Sequence, residues 1–295
     1  MGSNMNDNEI ASLLKLLDDT DEEVFQHVSG KLMSYGFNVI PALEMEWEQS
    51  FNAVLQQRIE NLIHKIQFTS VKKELEIWFK NGGSDLLHGI LIVNKYQYPE
   101  LDDQKIINQI ENIKRDAWLQ LNYNMSALEK VKTLNHVFYN VYGFSGNVTN
   151  HHDPQNSYLN LVLESKKGNQ ITLAIIYSIV AQKLDIPIVG VNLPQHFILA
   201  YQDEAEYKQY TEKILEYGGI LFYINAFNKG FIFRKNDIDS FLKQLNLKPQ
   251  ASFYEACSNV DIIKRVLRNL ISSYEKPGYL DKVEELKELA SVLEN

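Results

Sequence analysis

The sequence predicts an α+β fold in which a central buried helix packs on antiparallel strands, with helical layers before and after it. Three patterns in the 295 residues indicate this arrangement. Apolar residues recur at helical spacing in the first third and in the tail. A strongly apolar helical segment opens at Thr172, and a helix this apolar is usually buried at the centre of a domain. Two apolar segments typical of strands follow it, within 188–201 and 219–224.

Residues 6–116 form the predicted N-terminal helical region. Asp21 is well placed as an N-cap, because two glutamates follow it in the first turn of the next helix. Helical spacing predicts separate helices over 54–66 and 71–79, and one more over 104–121. Short helices joined by tight turns are typical of HEAT-like repeats, so we expect a HEAT-like layer here.

Residues 117–250 form the predicted core. A helix is expected over 126–142, followed by the apolar helix that opens at Thr172. In the strand that begins at His196, alternate side chains as far as Tyr201 should face opposite sides of a sheet.

The remaining segments flank this core or interrupt it. The charged stretch 203–217 is predicted to be a solvated insertion. Residues 251–295 form a helical tail, with helices over 260–275 and 279–293 broken by a Pro-Gly pair, typical of a TPR-like hairpin. The first five residues, 1–5, are interpreted as the remnant of an expression tag.

Composition narrows the functional classes. The net charge of −9 argues against a nucleic-acid partner, which is normally bound by clustered lysine and arginine. No apolar run approaches the ~20 residues of a membrane span, and no secretory signal opens the chain. The single cysteine, Cys257, excludes an intrachain disulfide and a multi-cysteine metal site. We therefore expect a cytoplasmic protein that has no cofactor and does not bind membranes.

Three polar residues carry the functional prediction: Thr172 at the start of a helix, His196 on a strand and Asn225 at the end of the next strand. Cysteine nucleophiles use this layout, because a helix N-terminus stabilises a thiolate, a histidine moves the proton, and an amide or carboxylate orients the histidine. Asn225 fits either that orienting role or a simple role in a turn.

The segments around these residues resemble the SirB-type transglutaminase-like family. The resemblance covers roughly residues 117–293 and rests on four segments in the family's order: Gly143-Phe144-Ser145-Gly146-Asn147, Asp153-Pro154-Gln155-Asn156-Ser157-Tyr158-Leu159, Gly168-Asn169-Gln170-Ile171-Thr172-Leu173 and Leu193-Pro194-Gln195-His196-Phe197. The family usually has Gly-x-Pro-Ile-Ser-Leu, so Gln170 replaces its proline and Thr172 its serine. That serine stands where true transglutaminases have cysteine. The usual Asp-Pro-Phe after the last strand is here Asn225-Ala226-Phe227.

The resemblance implies a papain-like fold, a bacterial and cytoplasmic origin, and a tail with TPR-like character. It implies no established reaction. Asn156, Tyr158 and Gln195 are candidate binding residues of the same cleft, although for Asn156 and Tyr158 a turn residue and a core aromatic are the favoured interpretations.

Other polar residues have simpler interpretations. Thr172 suits a helix N-cap better than a nucleophile, since a helix dipole cannot ionise an alcohol. His151, His152 and Asp153 are interpreted as solvated loop rather than metal ligands, because adjacent residues seldom aim at one ion. Cys257 lies outside the motif and is interpreted as structural.

Two functions fit these patterns best, and a structural or regulatory protein in which the cleft is closed is a third possibility. The favoured hypothesis is a non-catalytic module that binds a protein or peptide partner in a cleft without its thiol, flanked by helical repeats. The alternative is a hydrolase or acyltransferase with a Thr172-His196-Asn225 triad. Ordinary transglutaminase or cysteine protease activity is not expected, because the thiol is missing.

Overall fold

The computed structural model describes residues 7–150, 153–204 and 216–294. Its helices are α1 (Asp7–Leu16), α2 (Glu22–Ser34), α3 (Ile40–Gln49), α4 (Ala53–Lys80), α5 (Leu86–Gln97), α6 (Asp103–Trp118), α7 (Ala127–Asn135), α8 (Leu159–Ser165), α9 (Gln170–Gln182), α10 (Lys235–Gln244), α11 (Asn259–Glu275) and α12 (Leu280–Val292). A π-helical turn, His136–Val141, continues α7.

The strands form two sheets. They are β1 (Ser145–Gly146), β2 (Lys167–Gly168), β3 (Ile188–Val191), β4 (Ile198–Gln202), β5 (Ile220–Asn225) and β6 (Phe231–Phe233). Strands β1 and β2 make a short parallel pair, and β3 to β6 make an antiparallel sheet in chain order. The predicted α+β class is therefore confirmed. The predicted insertion 203–217 falls largely outside the described residues.

Helices α2 and α3 pack on α4, α1 packs on α2 and α3, and all three share a hydrophobic core with the N-terminal half of α4. Asp21 caps α2 as predicted, accepting a hydrogen bond from the backbone N–H of Glu23. The prediction of two separate helices in the next segment is wrong, since α4 is continuous over 28 residues. No glycine or proline lies between Ile66 and Val71, so nothing there stops a helix. The HEAT-like character of this region stays a prediction.

Helix α9 is the centre of the fold, as its apolar sequence predicts. Every residue from Ile171 to Ala181 is buried. The helix contacts α5, α6 and α11 as well as β3 and β4. Burial on all sides explains why its sequence has no polar face.

Strand β4 has two buried faces. Leu199 and Tyr201 join the main core with α9, whereas Ile198 and Ala200 join a second cluster with Ile238 of α10. The predicted alternation is therefore confirmed. Its start is not, because the strand begins at Ile198 and His196 lies in the preceding loop.

The tail forms the predicted helical pair, α11 and α12. Gly278 separates the helices with a φ of 85°, a conformation that favours glycine. Buried residues of both helices belong to the main core with α9. TPR-like character stays a prediction. Among the described residues, no helix is both long enough and apolar enough to cross a bilayer.

Candidate functional site

The start of α9 is organised by Asn169, not by Thr172. Asn169 is the N-cap, and its Oδ1 accepts hydrogen bonds from the Thr172 backbone N–H at 2.9 Å and from the Thr172 hydroxyl at 3.0 Å. Its own amide donates to Ser157 Oγ at 2.8 Å. The interpretation of Thr172 as the N-cap is wrong, because the helix begins two residues earlier. Thr172 is fully buried, with its hydroxyl bound to the cap.

His196 lies at the end of the loop between β3 and β4. The exposed Gln195 before it has a φ of 61°, and the His196 N–H donates to the Leu193 carbonyl at 3.0 Å, which closes a tight turn. The half-buried imidazole packs edge-on against Phe241 of α10, with ring centroids 4.9 Å apart. The turn and this aromatic contact fix the direction of the ring.

Gln170, the first residue of α9, holds His196 through a two-point contact. Its Oε1 accepts from the backbone N–H of Phe197 at 3.3 Å, and its Nε2 lies 2.8 Å from His196 Nδ1. Because a backbone N–H can only donate, the amide oxygen must face Phe197, and the NH2 group must face the imidazole. An NH2 group only donates, so Nδ1 must accept. The neutral ring therefore carries its proton on Nε2.

The surroundings of His196 also favour the neutral ring. Burial lowers the pKa of His196, and the positive charge of Arg265 on α11 lowers it further. Arg265 is joined to the same loop, since its Nη1 donates to Asn192 Oδ1 at 2.9 Å. The ring is thus an uncharged N–H donor near a guanidinium.

Asn225 lies at the end of β5 and caps the turn that follows. Its Oδ1 accepts from the backbone N–H groups of Phe227 and Asn228, each at 3.1 Å. Of the two roles left open by the sequence, the geometry matches the turn. Among the hydrogen bonds of the described residues, none joins Thr172, His196 and Asn225 to one another.

The other candidate binding residues have structural contacts. Asn156 is buried, and its side chain accepts from Asn147 Nδ2 at 2.9 Å and donates to the Asn150 carbonyl at 2.6 Å. Tyr158 is buried, with its hydroxyl 3.0 Å from that of Tyr274 on α11. These contacts match the turn-residue and core-aromatic interpretations. Gln195 alone of this set is exposed.

Cys257 lies beside the sheet rather than at the start of α9. Its backbone N–H donates to the Gly190 carbonyl at 2.9 Å. Burial raises the pKa of its thiol to about 12, so the thiolate required of a nucleophile is scarce at neutral pH. The structural interpretation fits this position. His151 and His152 lie outside the described residues.

Gln170 and Arg265 both contact the His196 loop, although neither belongs to the triad pattern predicted from the sequence. Gln170 carried a signal, because it replaces a proline that has no side-chain donor or acceptor. Arg265 carried none, since it lies 69 positions after His196 on a tail helix whose packing is a property of the tertiary structure.

Comparisons with known proteins match this architecture. A model of the transglutaminase-like superfamily matches residues 104–268, more than half of the chain. A UPF0162 protein of Xylella fastidiosa is 34% identical over 118 residues, 39% of this chain and 41% of that protein. Mouse F-box only protein 21 is 29% identical over 145 residues, 49% of this chain and 22% of that protein. Protein SirB1 of Salmonella typhimurium is 23% identical over 199 residues, 66% of this chain and 68% of that protein.

Over its matched region, the chain thus covers less than half the length of the first two of these relatives. No solved structure matches it. The superfamily match includes α9, the His196 loop and most of α11, so the family resemblance predicted from the sequence is confirmed. The chain belongs to the SirB-type transglutaminase-like family.

Proposed function

We propose that this chain is a non-catalytic member of its family that binds a protein or peptide partner at the surface beside His196, where the family resemblance predicts a cleft. The contact between Gln170 and His196 carries this proposal. A general base must offer a free lone pair to the proton it removes. In His196 the Nδ1 lone pair accepts from Gln170, and Nε2 carries the proton.

The surroundings of Thr172 support the same proposal. Its hydroxyl donates to Asn169 and is fully buried, so neither substrate nor His196 has a direct path to it. An internal threonine also lacks the terminal amine that activates known threonine nucleophiles. The alternative triad of Thr172, His196 and Asn225 would need all three side chains to change their partners.

A turnover assay tests the absence of catalysis. The full chain is incubated with a glutamine-containing peptide and a primary amine, and mass spectrometry follows both amide exchange and peptide hydrolysis. We expect the rates measured in buffer alone, with no change in His196→Ala. Turnover that is lost in both His196→Ala and Thr172→Val would overturn the proposal in favour of the triad enzyme.

A crosslinking experiment tests the binding role. A photoreactive amino acid replaces the exposed Gln195 beside the cleft, and in a control chain it replaces the exposed Glu44 on α3. In cells of the source organism, we expect a discrete adduct from position 195 that disappears when His196→Ala is added. Equal adducts from both positions, or an adduct indifferent to His196→Ala, would contradict binding at this cleft.

A further inference from the structure

Helix α11 brings positive charge to the loop that carries His196. Arg265 is half-buried and bonded to Asn192 at the start of that loop. Asn192 and His196 belong to the same short loop between β3 and β4, so this hydrogen bond holds the guanidinium against the loop that carries the imidazole. The guanidinium and the imidazole therefore belong to one local environment.

No carboxylate neutralises Arg265 among the residues that the structure describes. Asp261, one helical turn earlier, is within helical reach, but its carboxylate accepts from the hydroxyl and the backbone N–H of Ser258 in a capping box. Asn192 is a neutral partner and satisfies only one donor of the guanidinium. Because burial of an unpaired charge is costly, an anion bound beside the half-buried Arg265 would be stabilised by its guanidinium.

Arg268 adds a second positive charge one turn further along α11. It is exposed, and within the described parts of the chain it makes no ion pair. Burial lowers the pKa of Arg265, and the charge of Arg268 lowers it further. The two guanidinium groups destabilise one another unless an anion lies close to both.

His196 contributes a directed but uncharged donor. Since Nδ1 accepts from Gln170, the neutral ring carries its proton on Nε2, which can donate only to an acceptor other than Gln170. Arg265 and Arg268 on one face of α11 and His196 on the adjoining loop thus offer two guanidinium groups and one neutral N–H.

We propose that Arg265, Arg268 and His196 bind a carboxylate group of the peptide partner. This inference rests on the proposed function and names the chemistry that its site recognises. The planar guanidinium matches a carboxylate in a bidentate pair. Two cations and a neutral donor suit a single negative charge. The carboxylate has two sources, an acidic side chain or the C-terminus of a chain.

Four probes separate these sources by NMR of the Arg265 Nε–H and the His196 ring in the full chain. They are the acetylated peptides Ala-Glu-Ala with an amidated end, Ala-Gln-Ala with a free end, Ala-Gln-Ala with an amidated end, and inorganic phosphate. We expect shifts from at least one of the first two probes and none from the neutral peptide. A response to the first identifies an acidic side chain, and a response to the second identifies a C-terminus.

Charge-removal variants test the residues. We expect Arg265→Gln to weaken binding of the responding peptide about tenfold or more. The matched control Arg115→Gln removes an exposed arginine of α6 and should leave the affinity unchanged. Arg268→Gln is the second variant and is used if Arg265→Gln fails to fold. Because Arg268 is exposed, its replacement should leave the fold intact.

Other outcomes overturn the inference. Equal affinity in Arg268→Gln and in the wild type, or phosphate binding tighter than either carboxylate, would contradict a carboxylate site. If no probe binds while crosslinking from position 195 still requires His196, the carboxylate inference fails and the binding role stands. If crosslinking fails as well, the proposed function fails with it.

Discussion

The family resemblance places proline at position 170, and proline offers no side-chain donor or acceptor. Glutamine at this position reaches both the Phe197 N–H and the His196 ring. One residue thereby selects the imidazole tautomer, because an amide NH2 can only donate to Nδ1. A proton-transfer group becomes a fixed hydrogen-bond donor without any change in its own identity.

Restoring the proline should release His196. Gln170→Pro suits the structure, since proline is favoured at the first position of a helix and the preceding Asn169 is already extended. We expect the pKa of His196 to rise, because Nδ1 can then take a proton without losing a hydrogen bond. An NMR titration of the ring measures this.

The control is Gln195→Asn, which changes the exposed residue before His196. Asparagine tolerates the positive φ found at this position. It should leave the His196 pKa where it is. An unchanged pKa in Gln170→Pro would mean that burial and Arg265 alone keep the ring neutral.

His196 should also make stability depend on pH. Its pKa is lower in the folded state than the ordinary value of about 6.5. Its contribution to stability is therefore fully present above pH ~6.5, and it declines as the pH falls toward the folded pKa, because the unfolded chain binds the proton more readily. Urea denaturation measures this as the free energy of unfolding of the wild type and of His196→Gln. The range of about pH 5 to about pH 8 brackets the ordinary pKa of histidine. Stability curves that remain parallel would contradict it.

Among the elements, α9 shows how a cap can serve two groups. Asn169 satisfies both the backbone N–H and the buried hydroxyl of Thr172. The Thr172 hydroxyl is thus buried and bonded to the helix cap, Asn169.

Loss of this cap should destabilise the chain measurably. Asn169→Ala removes the N-cap, worth ~1 kcal/mol, and leaves the Thr172 hydroxyl without its acceptor, worth about as much again. We expect the free energy of unfolding to fall by roughly 2 kcal/mol in urea denaturation. Asn124→Ala, at an exposed turn, should change it by less than about 0.5 kcal/mol. Equal effects of the two substitutions would show that the cap is not formed.

Elements buried on one side were predictable from the sequence, and some buried on all sides were not. Helix α5 has an apolar run without helical spacing, because it packs against α4, α9 and α11 at once. Its Gly89 lets α5 approach α4 closely, because a Cβ at this position would lie 2.7 Å from the Trp78 ring. The alternation of β4 also extended the predicted strand too far, since it continues through His196 although a turn intervenes.

At the scale of the whole molecule, the described chain has a main core with a smaller N-terminal core beside it. Buried residues of α12 belong to the same cluster as α9, whereas α1 to α3 form a cluster with the first half of α4. The tail is thus structurally continuous with the site. The sequence predicted the tail as a separate hairpin, because periodicity identifies helices but not their partners.

This organisation predicts different effects for two matched substitutions. Leu286 and Leu43 are both fully buried, the first in the main core and the second in the N-terminal core. Each change to alanine should cost about 2–5 kcal/mol in its own core. Hydrogen exchange should reveal reduced protection of α9 amides in Leu286→Ala only. Equal loss of α9 protection in both variants would contradict two separate cores.

The order of Thr172, His196 and Asn225 could be predicted from the sequence, but their contacts could not. Sequence order locates residues on elements, whereas a hydrogen bond depends on side-chain direction. Gln170 contacts the His196 ring, Asn169 accepts from the Thr172 hydroxyl, and Asn225 binds its own turn, so each member of the expected triad has another partner. The departure of position 170 from the family pattern was the available clue.

The tautomer of His196 tests the central claim most directly. Long-range ¹H–¹⁵N NMR of the imidazole at neutral pH distinguishes a protonated nitrogen from one that accepts. We expect a proton on Nε2 and an unprotonated Nδ1, with the tautomer lost in Gln170→Pro. A proton on Nδ1, or a ring charged at neutral pH, would contradict the hydrogen bond from Gln170 and with it the assignment of this site as non-catalytic.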